Sequence, residues 1–415
     1  MAGRRQKDSE THTTKYRGKD GRWHARVTVG RRIDGQLDRR HLQRKTKREL
    51  DEAVRALERD RDAGKRTWLQ GEQTLGGWLE HWITAILPLS VRWKTLSTYQ
   101  SLMKVHVIPK MGAARLADVR PEALELLYGQ LLNEGRSAHV VHAVHRVLRS
   151  ALGEAVRRHH LSQNPATVAR PPRVATVEID PLTSDECRSL LEAARGTPNA
   201  ARWSVALALG LRQGEALGLS WDDVDLDAGV IHVRRAVQRR TWQHGCGSKP
   251  GGQPACGRGR GGYCPQRRAG GLMLVELKTR ASRRLIVLPG PLLSELREHR
   301  SDQLRRQAER RGLWDGAHNV VFATDVGGLI DPARDFKDWK SLLRAAGVRT
   351  VRLHDARHTA ATLLLVQGVD LRTVMSIMGW TEMATAQRYV HAVDELRREA
   401  ARRMGDALWS PGWDQ

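Results

Sequence analysis

Six side chains in the second half of this sequence have the types and spacings that breaking a phosphodiester requires. Arg212 stands in Leu211-Arg212-Gln213-Gly214-Glu215, and a second arginine, Arg357, ends His354-Asp355-Ala356-Arg357. Lys278 follows the alternating run 272–277, Trp380 follows Met378-Gly379, and Tyr389 opens Tyr389-Val390-His391. Such a reaction needs a nucleophile, positive charge for the non-bridging oxygens and a proton for the leaving oxygen. A guanidinium is permanently charged and its planar fork matches phosphate, so Arg212 and Arg357 are the candidate clamp. An offset of three puts His354 and Arg357 on one helix face. A free phenol has a pKa of about 10, so Tyr389 must lose its proton as it attacks, and flanking cations favour the phenolate. A phosphotyrosine retains the bond energy, so rejoining needs neither ATP nor a metal.

These residues, with the spacing Trp380-x8-Tyr389-x-His391, resemble the active-site set of the tyrosine recombinase (phage integrase) family, and the likeness extends over most of the chain. The resemblance implies a site-specific recombinase that cuts and rejoins DNA through a 3′-phosphotyrosyl intermediate. Its expected task is to integrate, and also to excise, a bacterial phage or integrative element by two strand exchanges through a Holliday junction. In the implied roles Arg212 and Arg357 clamp the phosphate and Glu215 orients Arg212. Lys278 protonates the 5′ leaving oxygen from a hairpin, and His354 bonds the phosphate or shuttles the proton of Tyr389. His358 is assigned a structural part. Lys278 keeps a second reading as a surface-turn lysine, since Arg280, Arg283 and Arg284 lie beside it. The sequence departs from most members at Trp380, where they carry histidine. An indole only donates one hydrogen bond, so Trp380 can hold an oxygen and pack but cannot relay a proton. The implied partners are double-stranded DNA attachment sites, a homotetramer on that DNA, an excisionase and a host DNA-bending protein, with no cofactor for catalysis.

Charge agrees with a polyanionic partner. The 415 residues hold 70 Lys and Arg against 46 Asp and Glu, a net charge of +24. So large an excess repels itself unless nucleic acid neutralises it. A membrane-surface protein would need an apolar span or amphipathic anchor, and none is read, nor is a secretory signal. Four cysteines are too few for a secreted disulfide scaffold, so the expected setting is the reduced cytoplasm, at the bacterial nucleoid.

The elements that must position these residues read as a multidomain chain, mainly α with small β-sheets. Residues 1–66 are expected to form an arm-type DNA-binding domain. Trp23–Val29 alternates as a strand, 39–44 gives a second, and the capping box Thr46-Lys47-Arg48-Glu49 opens a helix that runs to about Ala63. Lys15, Arg17, Arg22, Arg26, Arg39, Arg40 and Arg44 are its candidate phosphate contacts, with Arg280 in the catalytic domain. Residues 74–172 read as a helical core-binding domain. Trp78, Leu79, Trp82, Ile83 and Ile86 recur at helical spacing, as do Val140, Val144, Val147, Leu148, Ala151 and Leu152. An extended linker leads to a mixed α+β catalytic domain, 181–405, with strands at 230–233, 272–277 and 284–288. A basic amphipathic helix, 395–408, presents Leu396, Ala400, Met404 and Leu408 on one face. The family packs this helix on a neighbouring protomer.

Residues 239–271 read as an insertion with ten glycines, seven Lys or Arg and no acid. They hold His244, Cys246, Cys256 and Cys264, a set that suits tetrahedral zinc in type. The spacing His-x-Cys-x9-Cys-x7-Cys contains no Cys-x2-Cys pair, so a basic loop with incidental cysteines stands beside the zinc reading. Two functional rivals remain at this point. One is a type IB topoisomerase, against which the arm-like N-terminus argues. The other is a DNA-binding regulator without catalysis, against which the full Arg, Lys, His, Arg, Tyr set argues. A two-metal transposase would need a carboxylate triad, and none is apparent.

Overall fold

The computed structural model of the protein describes residues 13–31, 37–62, 73–174, 180–249, 253–277, 282–383, Tyr389 and, near the C-terminus, 401–402, 404–406 and 408. They fall into two compact units, within residues 1–176 and 177–415.

In the first unit β1 (Thr13–Arg17), β2 (Trp23–Arg31) and β3 (Leu37–Arg44) form an antiparallel meander. One face carries α1 (Lys47–Asp62). The alternation of β2 turns Ala25 and Val27 inward, where they meet Leu50 and Val54 of α1. The capping box forms: Glu49 N–H donates to Thr46 Oγ1 at 3.2 Å, and Thr46 N–H to the Glu49 carboxylate at 3.4 Å. The expected helix stop at Ala63-Gly64 lies outside the described residues. β1 carries no apolar alternation that would mark it in the sequence, and it is almost wholly exposed.

A second, helical core occupies residues 75–169 of the same unit. It contains α2 (Leu75–His81), α3 (Trp93–Leu102), α4 (Ile108–Met111), α5 (Pro121–Asn133) and α6 (Ala138–Arg157). π-helical turns at Trp82–Ile86 and Met103–Val107 extend α2 and α3. Trp78, Leu79, Trp82 and Ile83 are buried as their spacing predicts, and the Trp78 indole donates to Ala151 O of α6 at 3.0 Å. Pro121 takes the first turn of α5, where its missing N–H is not needed.

The second unit opens with α7 (Ser184–Ala194), α8 (Ala201–Leu209) and α9 (Gln213–Leu217). Two small antiparallel sheets follow. One orders β4 (Val224–Asp225), β5 (Val230–Val233) and β8 (Arg284–Val287); the other pairs β6 (Arg235–Arg240) with β7 (Gly271–Glu276). The chain ends in α10 (Gly290–Glu309), α11 (Pro332–Ala345), α12 (Leu353–Val366) and α13 (Leu371–Met378). The pairs Arg239–Leu272 and Arg240–Gly271 belong to the β6–β7 ladder. The excursion is therefore 241–270, two residues later at its start than the sequence boundary, and it grows from the end of a hairpin. Most of the expected tail helix lies outside the described residues; within them, Met404 and Leu408 are 59% and 62% exposed.

Candidate active site and basic surfaces

Two chain reversals build the site. α8 ends at Gly210 (φ +59°) and α13 at Gly379 (φ +64°), both left-handed caps that glycine adopts without strain. They leave the carbonyls of Gly210 and Met378 free at two helix C-termini, the negative ends of the helix dipoles. Both carbonyls accept from the Arg357 guanidinium, Gly210 O at 2.6 Å. Arg357 is only 3% exposed. Burial first, and Arg212 next, pull its pKa down to about 9, so it stays charged at neutral pH.

Arg212 stands immediately before α9. Its guanidinium donates to Glu215 at 2.7 Å and its backbone N–H to the same carboxylate at 3.2 Å. Glu215, the partner expected for Arg212, also accepts from Arg284 at 2.9 Å. Burial would raise the Glu215 carboxyl, but Arg284 and then Arg212 hold it below its ordinary value. Arg284, which the sequence reading treated only as a neighbour of Lys278, is a strut: it donates to Ile377 O of α13 at 2.6 Å. The signal was available, since Ile286 is buried and strand alternation turns Arg284 the same way.

A cavity of about 420 Å³ is lined by Arg212, His354, Arg357, His358, Trp380 and Tyr389. The site thus brings together five of the six predicted catalytic residues; Lys278 and Arg280 lie outside the described residues. Trp380 sits between two partners. The Arg357 guanidinium lies 5.6 Å from its ring centre, and the Tyr389 ring stacks on it at 5.1 Å and 23°. Packing is therefore the observed role of Trp380.

The tyrosine hydroxyl corrects one assignment. Tyr389 Oη lies 2.5 Å from His358 Nδ1, a contact that a purely structural part for His358 does not include. His354 packs edge-on against His358, 5.0 Å between ring centres. The sequence held the clue: His354, Arg357 and His358 are at offsets of three and four on α12 and share a face. Burial, then the neighbouring His354, lowers His358 to about 4; burial and then Arg357 lower His354. His358 is thus neutral at neutral pH and able to accept a proton.

The remaining candidates divide. The predicted cations of the N-terminal sheet are not one patch. Ladder register puts Arg26 and Arg39 on the face away from α1, beside a stack of Tyr16, His24 and His41. Lys15, Arg17, Arg40 and Arg44 lie in register with the inward residues, and Lys15 pairs with Asp51 of α1 at 2.7 Å. Arg22 is exposed just before β2.

In the excursion, the donor atoms of His244, Cys246, Cys256 and Cys264 all lie within 4.8 Å of one another. Tetrahedral zinc with Zn–S of about 2.3 Å sets its ligand atoms roughly 3.6–3.8 Å apart, so the set needs only a small contraction. Cys256 Sγ is already 3.4 Å from His244 Nδ1, and Cys256 N–H donates to Cys246 Sγ. Desolvation pushes the Cys264 thiol up, but backbone N–H groups of Gly245 and Gln266, with His244 and Cys246, outweigh it and bring it to about 6.

Comparison with known proteins gives concordant matches. A model of the phage integrase family matches residues 269–395. An integrase of Saccharopolyspora erythraea is 38% identical over 438 aligned residues, which span 99% of this chain and 99% of that protein. Among solved structures, the Tn1549 transposon integrase in complex with a circular intermediate DNA has a TM-score of 0.61 at 20% identity, covering 80% of this chain and 99% of that one. A lambda integrase tetramer bound to a Holliday junction gives 0.52 at 17% identity, covering 93% and 96%. At these identities the structural likenesses speak for the fold alone. No helix among the described residues is long and apolar enough to cross a membrane.

Proposed function

The chain belongs to the phage integrase family of tyrosine recombinases, and from that premise we propose how its own residues carry out DNA strand transfer. The observation that carries the reading is the meeting of Arg212, His354, Arg357, His358, Trp380 and Tyr389 around one cavity. Arg212 and Arg357 grip the non-bridging oxygens of one phosphate, where negative charge grows in the transition state. Helix-end carbonyls and Glu215 fix both guanidiniums beforehand, so little reorganisation is needed when DNA binds. Tyr389 Oη attacks phosphorus and passes its proton to neutral His358 Nδ1. The bond from phosphorus to the 5′ oxygen breaks, and Lys278 donates the proton that this oxygen takes up. His354 bonds the phosphate. The 3′-phosphotyrosyl bond then yields to a 5′-hydroxyl of the partner strand.

The substrate is double-stranded DNA bearing attachment sites. The open face of the N-terminal sheet, with Arg26 and Arg39, contacts arm DNA, and the helical segment 74–172 contacts the core site. Met404 and Leu408, exposed on this protomer, would dock on a neighbour in a tetramer on DNA. The chemistry uses no cofactor, and the excursion holds a structural zinc on His244, Cys246, Cys256 and Cys264. Full-length kinship to an integrase favours recombination over topoisomerase activity or regulation without catalysis.

The test is a nicked suicide duplex carrying the attachment site, taken from DNA flanking the gene, incubated with the protein in EDTA. A covalent protein–DNA adduct is expected, and Tyr389→Phe should remove it. An adduct that persists in Tyr389→Phe, or tight specific binding with no adduct, would overturn the reading.

A further inference from the structure

The described residues of the excursion 241–270 keep a defined conformation without an apolar core. Among its described residues only Gly261 and Cys264 are buried. Its strands of backbone nevertheless cross very closely. A Cβ on Gly261 would meet Trp242 O at 2.0 Å, one on Gly245 would meet Gln266 O at 2.1 Å, and one on Gly270 would meet Trp242 Cα at 2.4 Å. Backbone pairs Gln243 with Arg268 and Ser248 with Pro254 tie the loop crosswise. A segment this short, with so little buried apolar surface, needs a covalent or metal staple to hold such crossings. The four converging donors are the staple available, and all four cysteines are free thiols.

The stapled loop has a consistent surface. Lys249, Arg258, Arg260, Arg267 and Arg268 are all exposed, and no carboxylate occurs anywhere in 239–271. Three thiolates on a divalent ion leave one negative charge, which these cations outnumber. The loop also has an anchored stem. Its stem strand β6 lies on α9, the helix that Arg212 precedes. A Cβ on Gly214 or Gly218 would meet β6 backbone at 2.8 and 2.7 Å.

We propose that the excursion is a zinc-stapled module that grips the DNA backbone, with Arg258, Arg260 and Arg268 as its contacts. The inference rests on the zinc reading of the cluster and on double-stranded DNA as the substrate. Metal binding releases the thiol protons to solvent and changes no oxidation state. The module then adds affinity through phosphate neutralisation and takes no part in the chemistry.

Two readouts on the full-length protein test it. Elemental analysis of the purified protein should find one zinc per chain, and Cys256→Ser should lose it. Cobalt(II) substitution should give thiolate-to-cobalt charge-transfer bands. Separately, the triple variant Arg258→Ala, Arg260→Ala, Arg268→Ala changes only exposed side chains and should retain its zinc. Against a random-sequence duplex its affinity should fall, and the slope of log K on log salt should become shallower by about 0.9 per contact removed. Absence of stoichiometric zinc, or a zinc-loaded triple variant with unchanged affinity and slope, would overturn the proposal. Neither result bears on whether Tyr389 forms a covalent adduct, so the two readings fail separately.

Discussion

The catalytic cleft and the N-terminal sheet both concentrate arginine, and they treat it in opposite ways. In the cleft Arg357 is buried, bound to two helix-end carbonyls and covered by Trp380; Arg212 is locked to Glu215, which Arg284 braces in turn. On the sheet Arg26 and Arg39 lie exposed on an open face. A buried, oriented cation can stabilise charge that appears at one phosphate in a transition state, because low dielectric and fixed geometry make it effective. An exposed cation is screened and mobile, and it contributes to holding DNA by displacing counterions from many phosphates. Charge alone therefore does not tell chemistry from affinity; burial and partners do.

The sharpest way to break this contrast is to keep the charge and lose the fork. Arg357→Lys should slow single-turnover cleavage at saturating DNA by about 10²-fold, the scale of losing one transition-state donor. Its affinity for duplex should change little. Next comes the brace. Glu215→Ala would leave Arg284, whose side chain is 5% exposed, without its carboxylate. Breaking such a buried pair costs about 3–5 kcal/mol, so the urea midpoint should fall clearly. Gly210→Ala is expected to cost about 1–3 kcal/mol through left-handed strain. Its Cβ would also press the flexible end of the Met378 side chain at 2.9 Å, and the strained residue is the one whose own carbonyl holds Arg357, so cleavage should slow together with stability. The smallest effect concerns pH. His358 is depressed to about 4 in the folded protein, so the unfolded chain binds the proton first. Its contribution to stability is complete above about pH 6.5 and is lost as pH falls toward 4. Melting temperature measured against pH should show a gentler acid fall in His358→Asn than in the native protein; equal slopes would argue against a neutral His358.

The same contrast explains what could be read from the sequence. Arg212, Glu215, His354, Arg357, Trp380 and Tyr389 were legible because their spacing follows helix turns and carries a family likeness. Apolar periodicity likewise marked β2, β5, β7, β8 and the buried face of α2 with its π-helical extension. What stayed hidden depends on contacts between distant segments. Arg284 reaches Glu215 and α13 across the fold, and the carbonyls that bind Arg357 belong to residues whose side chains are irrelevant. β1 has no apolar pattern and is held by ladder hydrogen bonds and by pairs such as Lys15–Asp51. The six candidate cations on the strands could be counted from the sequence, but their division between two faces requires the register. The metal-type cluster was visible by residue type alone; its convergence despite unusual spacing comes from glycine-permitted backbone crossings.

The central claim is that arginine fixed in place by protein partners performs the chemistry and arginine on the open sheet face holds the DNA. It is tested most directly by measuring covalent-complex formation in single turnover, at saturating suicide DNA, for Arg357→Ala beside the double variant Arg26→Ala, Arg39→Ala. The account predicts a loss of about 10²–10³-fold for Arg357→Ala. For the sheet variant it predicts a native rate once DNA is saturating, with weaker binding and a salt slope shallower by about 0.9 per contact. A sheet variant that cleaves slowly at saturation, or an Arg357→Ala protein that cleaves at the native rate, would contradict it.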